Sequence, residues 1–221
     1  EFLQELREPK LRGMAWTIIW EIRLPRALAA LILGGALALS GYLLQTFFHN
    51  PIAGPFVLGI SSGSKLLVAL VMVGFLEWNI TINSGMLVAA AFAGALLSML
   101  FVLLVARKME QMAMLIVGGV MIGYICSAIT DFVVTFASDA DIVNLHNWSM
   151  GSFSGISWDN IRVMTPVVLV SLVCVFLLSK PISAYQLGEG YARSMGVNIT
   201  VFRVVLILLS SVLSACVAAF A

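Results

Sequence analysis

The sequence is built from apolar runs, and several of them reach the roughly 20 residues that an α-helix needs to cross a bilayer core. Within lipid, every backbone N–H and C=O must find its partner inside the segment or across a closed barrel. A barrel would show short segments alternating apolar and polar residues, and no such alternation is visible in the sequence. The runs therefore predict helices at about Ala27–Phe47, Val57–Leu76, Gly85–Ala106, Met112–Ala137, Val163–Leu178 and Ile199–Ala221. Composition argues against a soluble fold with a large core. Of the 221 residues, 61% are hydrophobic and only 10% charged, whereas a soluble domain is nearer half and a quarter. The fold class expected is all-α, a polytopic transmembrane helical bundle with six visible spans.

The spans are rich in small residues, as in GGALALSG, AAAFAGA and VGGVMIG. Glycine and alanine let helix backbones approach closely in lipid, where packing joins helices, so one compact bundle is expected. The net charge of +1 says nothing of partners, and no basic cluster suggests nucleic acid. Cys126, Cys174 and Cys216 stand singly in apolar runs, as small buried residues do. His49 and His146 are far apart in the chain, so a metal site of protein ligands is not expected. GISSGSKL imitates a phosphate-binding loop, but Leu66 follows Lys65 where a Ser or Thr would hold Mg²⁺. The chain is therefore expected to carry no cofactor of its own. It opens without Met and stops inside an apolar run, which reads as a fragment of a longer chain.

Polar stretches interrupt this pattern. In LGEGYARSMGVN (Leu187–Asn198), Glu189 and Arg193 share a helical face at i,i+4. Gly188, Gly190 and Gly196 permit turns, and Pro181 stops the preceding span. One or two short helices at the membrane edge follow. They either lie on lipid headgroups, with Leu187, Tyr191 and Met195 as a small apolar face, or dock on something else. In IRLPR, Arg23 and Arg26 are three apart and Pro25 suits a first helical turn. These arginines are either snorkelling anchors or a docking pair. Asp131 lies roughly 9 Å inside its span, and ionisable residues at such depth are functional candidates. With Asp139 and Asp141 it forms either an acidic mouth or a solvated helix end. Lys65 lies near the opposite membrane face and can snorkel, while Trp148 and Trp158 suit an aromatic belt.

Three stretches together carry a resemblance: IRLPRALAALILGGALALSGYLLQTFFHNPIAGPFVLGISSGS (Ile22–Ser64), WSMGSFSGISW (Trp148–Trp158) and LGEGYARSMGVN. From about Glu21 onward the chain resembles the FecCD/BtuC-like permease subunits of bacterial ABC importers for iron–siderophores, haem or vitamin B12. The resemblance implies a type II importer permease fold, with further spans before and after those seen here. It implies a multi-pass subunit of the bacterial cytoplasmic membrane that is not itself an enzyme. Residues 1–26 would form the extracytoplasmic approach, and residues 27–221 part of the permease domain.

The same resemblance implies that HNPIAGP, RKMEQ and LGEGYARSMGVN face the cytoplasm. Arg23 and Arg26 would lie outside, pairing with glutamates of a substrate-binding protein. Coupling helices at about residues 184–198 would dock on an ATPase through Leu187, Gly188, Glu189, Ala192, Arg193, Ser194, Met195 and Gly196. The cytoplasmic gate would fall at Ser61–Ser62 and at Gln111–Met112, the latter bulkier than the family's small polar residues. The outer gate would use Trp148, Met150 and Gly151, with Asp131 along the pathway. Lys65 departs from the family pattern, in which a small or apolar residue is usual. The partners implied are a second permease subunit, identical or related, two ATPases holding ATP and Mg²⁺, a binding protein and membrane lipid. The cargo implied is a metal chelate, iron–siderophore first and haem or cobalamin beside it. A reading from another class is an ATP-independent secondary transporter, which inverted repeats and broken midplane helices would support.

Overall fold

A computed structural model describes residues 16–77, 84–106 and 112–220, and all regular structure among them is helical. The helices are α1 (Leu24–Phe48), α2 (Ile60–Glu77), α3 (Ser84–Ala106), α4 (Met112–Val134), α5 (Asp139–Ser149), α6 (Trp158–Leu177), α7 (Ser179–Gln186), α8 (Glu189–Ser194) and α9 (Ile199–Phe220). Among the described residues, five stretches are long and apolar enough to cross a membrane: Ile18–Phe48, Ser84–Leu104, Leu115–Val134, Trp158–Leu177 and Ile199–Phe220. A sixth, Ile60–Gly74, is apolar but shorter. Six apolar helices therefore stand where six runs predict them.

Helix α9 is the hub, packing on α1, α3, α6 and α2, while α2 also packs on α3 and α4. Small residues make these approaches possible. A Cβ on Gly94 would lie 2.2 Å from the Gly63 carbonyl oxygen, so α2 and α3 touch backbone to backbone there. Beside that contact, the buried Ser64 hydroxyl donates to the Ala91 carbonyl at 2.9 Å. The seam between α1 and α9 is a buried serine cluster. Ser40 Oγ lies 2.8 Å from Ser210 Oγ and 2.6 Å from Ser214 Oγ, and Ser210 Oγ donates to the Ser40 carbonyl at 3.1 Å. Hydroxyls that bond across helices help to join them in lipid, and this cluster ties Ser40 of α1 to Ser210 and Ser214 of α9.

The structure moves some predicted boundaries, each for a local reason. The first span begins earlier than Ala27, because a π-helical turn, Ile18–Arg23, runs straight into α1. In that turn the Leu24 N–H reaches back five residues to the Ile19 carbonyl. The next bond in that register would come from Pro25, which has no N–H to give, leaving the Trp20 carbonyl free. The Trp158 indole Nε1–H fills the gap at 3.0 Å, tying α6 to the start of α1. The second span begins at Ile60 rather than Val57. Residues Pro55–Leu58 form a 3₁₀ turn, and the chain passes through a left-handed Gly59, φ 69°, packed against Gly119 and Gly123 of α4.

SDADIVNLHN, which follows the fourth predicted span, folds as a helix of its own, the start of α5. Ser138 is its N-cap, accepting from the Asp141 N–H, and Asp139 and Asp141 lie in the first turn, where the helix dipole favours carboxylates. The Ser-x-x-Asp spacing of a capping box signalled this helix in the sequence. Pro181 acts where expected but upstream of itself. Its missing N–H leaves the Leu177 carbonyl without its bond, and α6 ends at Leu177. Pro181 then sits in the first turn of α7, where no N–H is needed.

Candidate functional site

The predicted short helices at Leu187–Asn198 are present as α8, preceded by α7, and the two meet at Gly188, whose φ of 122° is open to glycine. This pair is wired to the spans through Tyr185, which is fully buried. The Tyr185 hydroxyl donates to Glu189 Oε1 at 3.2 Å and accepts from Arg203 Nε of α9 at 3.3 Å. Burial, partly offset by Arg203, pushes the Tyr185 pKa above its usual value, so the hydroxyl keeps its proton as a donor. Arg203 Nη2 pairs directly with Glu189 Oε1. Behind Tyr185, its carbonyl meets His49 Nε2 at 3.2 Å, and its ring packs on His49 and Phe202. Gln186 Nε2 donates to Thr46 Oγ1 at 3.1 Å and to Tyr42 Oη at 3.2 Å, both on α1. Thus α7 and α8 grip the ends of α1 and α9.

This corrects the i,i+4 expectation. Glu189 pairs with Arg203, fourteen positions along the chain, and not with Arg193, which is exposed. A surface i,i+4 pair gives a few tenths of a kcal/mol, whereas Arg203 offers a half-buried fork with Tyr185 as a shared partner. Ala192 is fully buried beneath α8. Gly188 is half-buried, while Leu187, Tyr191, Arg193, Ser194, Met195 and Gly196 are exposed.

At the other end of the bundle, Arg26 is half-buried and its Nη2 donates to the Ser154 carbonyl at 2.6 Å. That bond attaches α1 to the 3₁₀ turn Phe153–Gly155. Arg23, on the π turn, is exposed. The two arginines lie close in the chain, but of the two only Arg23 is exposed. Asp131 is exposed near the end of α4, and Asp141 accepts from the Ser138 hydroxyl at 2.5 Å.

Between the two ends lies a cavity of about 540 Å³. Its walls bring together Ser61 of the expected inner gate and Trp148, Met150 and Gly151 of the expected outer gate. Ser62 does not line it; its hydroxyl lies near Gly123 of α4. Gln111 lies outside the described residues; Met112 begins α4. The wall also holds Ser64 and Ser214, which the sequence reading left aside, and, from within α2, Lys65, which it read as a snorkelling residue and did not assign to the pathway. Ser214 belongs to the α1–α9 serine cluster, so that cluster opens onto the cavity. The only signal for these in sequence was a polar residue inside an apolar run. Among the described residues, no group of three or more His, Cys, Asp or Glu side chains is placed to hold a metal ion.

Comparison with known proteins gives consistent results. Residues 2–221 match the model of the FecCD transport family. The chain is 39% identical over 191 residues to the vitamin B12 import system permease protein BtuC of Klebsiella pneumoniae subsp. pneumoniae, covering 86% of this chain and 56% of that protein. With the BtuC protein of Salmonella typhi it shares 37% over 191 residues, covering 86% and 57%. The chain thus spans a little over half the length of these curated relatives. Among solved structures it is similar to a transporter described as of the metal-chelate ABC type, in an inward-facing conformation. That match has a TM-score of 0.84 and 27% identity, covering 97% of this chain and 66% of the other.

Proposed function

The chain belongs to the FecCD transport family and is a multi-pass protein of the bacterial cytoplasmic membrane; from that premise we propose that it is a permease subunit of an ABC importer for a metal chelate. A second permease subunit, identical or related, completes the pathway. Two ATPases bind below with ATP and Mg²⁺, and a substrate-binding protein docks above. The observation that carries this reading is the α7–α8 pair. It projects exposed Leu187, Tyr191, Arg193 and Met195 while Tyr185, Glu189 and Gln186 hold it to α1 and α9.

Such a pair can transmit a push. Closure of the ATPases moves α8, and Arg203 and Thr46 receive the motion. Of the residues assigned to the ATPase contact, Leu187, Gly188, Arg193, Ser194, Met195 and Gly196 form the docking surface. Glu189 and Ala192 act from within, holding the shape of the lever. Arg23 is the free member of the binding-protein contact, and Arg26 positions the 3₁₀ turn beside it. Asp131 lies on the outer approach, and Ser61, Trp148, Met150 and Gly151 border the pathway.

The test is reconstitution with the partner ATPase and binding protein. Chelate uptake that vanadate blocks, and an ATPase that co-purifies, are expected; uptake without an ATPase would favour a secondary transporter. Deleting residues 189–196 should abolish ATPase association while the protein still inserts into the membrane. Iron–siderophore is the cargo that the sequence reading puts first. Vitamin B12 is a second reading, favoured by the names of the relatives.

A further inference from the structure

Lys65 sits in the sixth position of α2, inside an apolar helix, and lines the 540 Å³ cavity. It is half-buried, and among the described residues it forms no ion pair and no hydrogen bond. Among the described residues, no carboxylate lines the cavity. Its polar neighbours there are the hydroxyls of Ser61, Ser64, Ser149 and Ser214. The remaining wall is apolar and aromatic, with Phe56, Trp148 and Met150 prominent. An ammonium withdrawn from water costs free energy unless an anion meets it. Elsewhere the protein meets that cost with a partner, as Glu189 does for Arg203. At Lys65 no such partner stands among the described residues, and the adjoining space has the volume of an organic ligand site, typically about 300–1,000 Å³.

We propose that Lys65 is a specificity-determining residue that makes the cavity a site for a metal chelate of net negative charge. The ammonium supplies the charge contact, the serine hydroxyls supply hydrogen bonds to chelate oxygens, and Trp148 and Phe56 cover the organic part of the ligand. This inference rests on the importer reading and narrows its cargo. It favours chelates whose ligands carry surplus carboxylate or phenolate charge over those of no net charge.

The experiment uses the full-length permease with its partner subunits in phosphatidylcholine proteoliposomes, which removes anionic lipid as the partner of Lys65. ATP hydrolysis and uptake are measured with ferric citrate, which is anionic, and with a neutral ferric trihydroxamate and cyanocobalamin. The wild type should carry the anionic probe best. Lys65→Met should lower that uptake by about tenfold, the scale of one charge-assisted hydrogen bond, with ATPase association and basal hydrolysis unchanged. Lys65→Arg should restore most of it. If Lys65→Met carries the anionic chelate as the wild type does, the inference is overturned. An assembly that hydrolyses ATP yet prefers an uncharged chelate overturns it too, and leaves the importer reading standing. Loss of the Lys65→Met effect in the absence of anionic lipid, where it was present with such lipid, reassigns Lys65 to a headgroup and likewise overturns it. An assembly with neither hydrolysis nor uptake of any probe overturns both.

Discussion

Arg203 and Lys65 stand at comparable positions, each early in an apolar helix, and the protein treats them in opposite ways. Arg203 at the foot of α9 is surrounded by acceptors: Glu189 and the Tyr185 hydroxyl, both within reach of its planar fork. Lys65 near the foot of α2 faces a cavity and has no partner among the described residues. The first cation is part of the framework, and its charge is answered from within. The second is held in a wall made rigid by the Gly63–Gly94 backbone contact, and its charge is left for something else. A paired cation should matter for stability, and an unpaired one for what the protein binds.

Four substitutions break or sharpen that contrast. Tyr185→Ala should be the most damaging, at about 3–5 kcal/mol, since a fully buried ring and a shared hydrogen-bond centre vanish together. A fall in the detergent unfolding temperature, by fluorescence-detected gel filtration, would record it. An unchanged midpoint would show that the junction is not structural. Gly94→Val should cost about 3 kcal/mol, because the new side chain meets backbone that cannot yield; full retention of the folded peak would mean that α2 and α3 stand farther apart. Arg203→Met should cost about 1 kcal/mol, solvent screening of a partly exposed pair being allowed for. A double-mutant cycle with Glu189→Gln would isolate the coupling, and additive effects would deny it. Lys65→Met should change stability by no more than about 0.5 kcal/mol. A marked loss there would make Lys65 a structural cation like Arg203 and erase the contrast.

The spans were legible because lipid imposes one rule on every backbone group, and apolar length expresses that rule directly. Six runs predicted six helices, with errors confined to ends such as Val57, where a turn at Gly59 intervenes. The lever was legible in outline, from its glycines and charges. Its wiring was not. Glu189 has Arg193 four residues away and Arg203 fourteen away, and only the fold decides which is nearer. The cavity was the least legible part. Ser61 and Trp148 were placed at opposite gates, and the packing of α5 against α2 brings them to one wall. Ser64, Ser214 and Lys65 could be noticed in sequence as polar residues in greasy runs, but no spacing rule says that residues so distant share a space.

Helix α1 is fastened at both extremities: near its start by Trp158 and Ser154, and near its finish by Gln186. A rod clamped twice cannot slide when pushed; it bows. The bow would centre where stiffness is lowest, and Gly34–Gly35 in the middle of α1, with open space beside both, is such a place. Force arriving from below would then be felt as curvature midway along the rod, close to the wall that Leu37 contributes to the cavity.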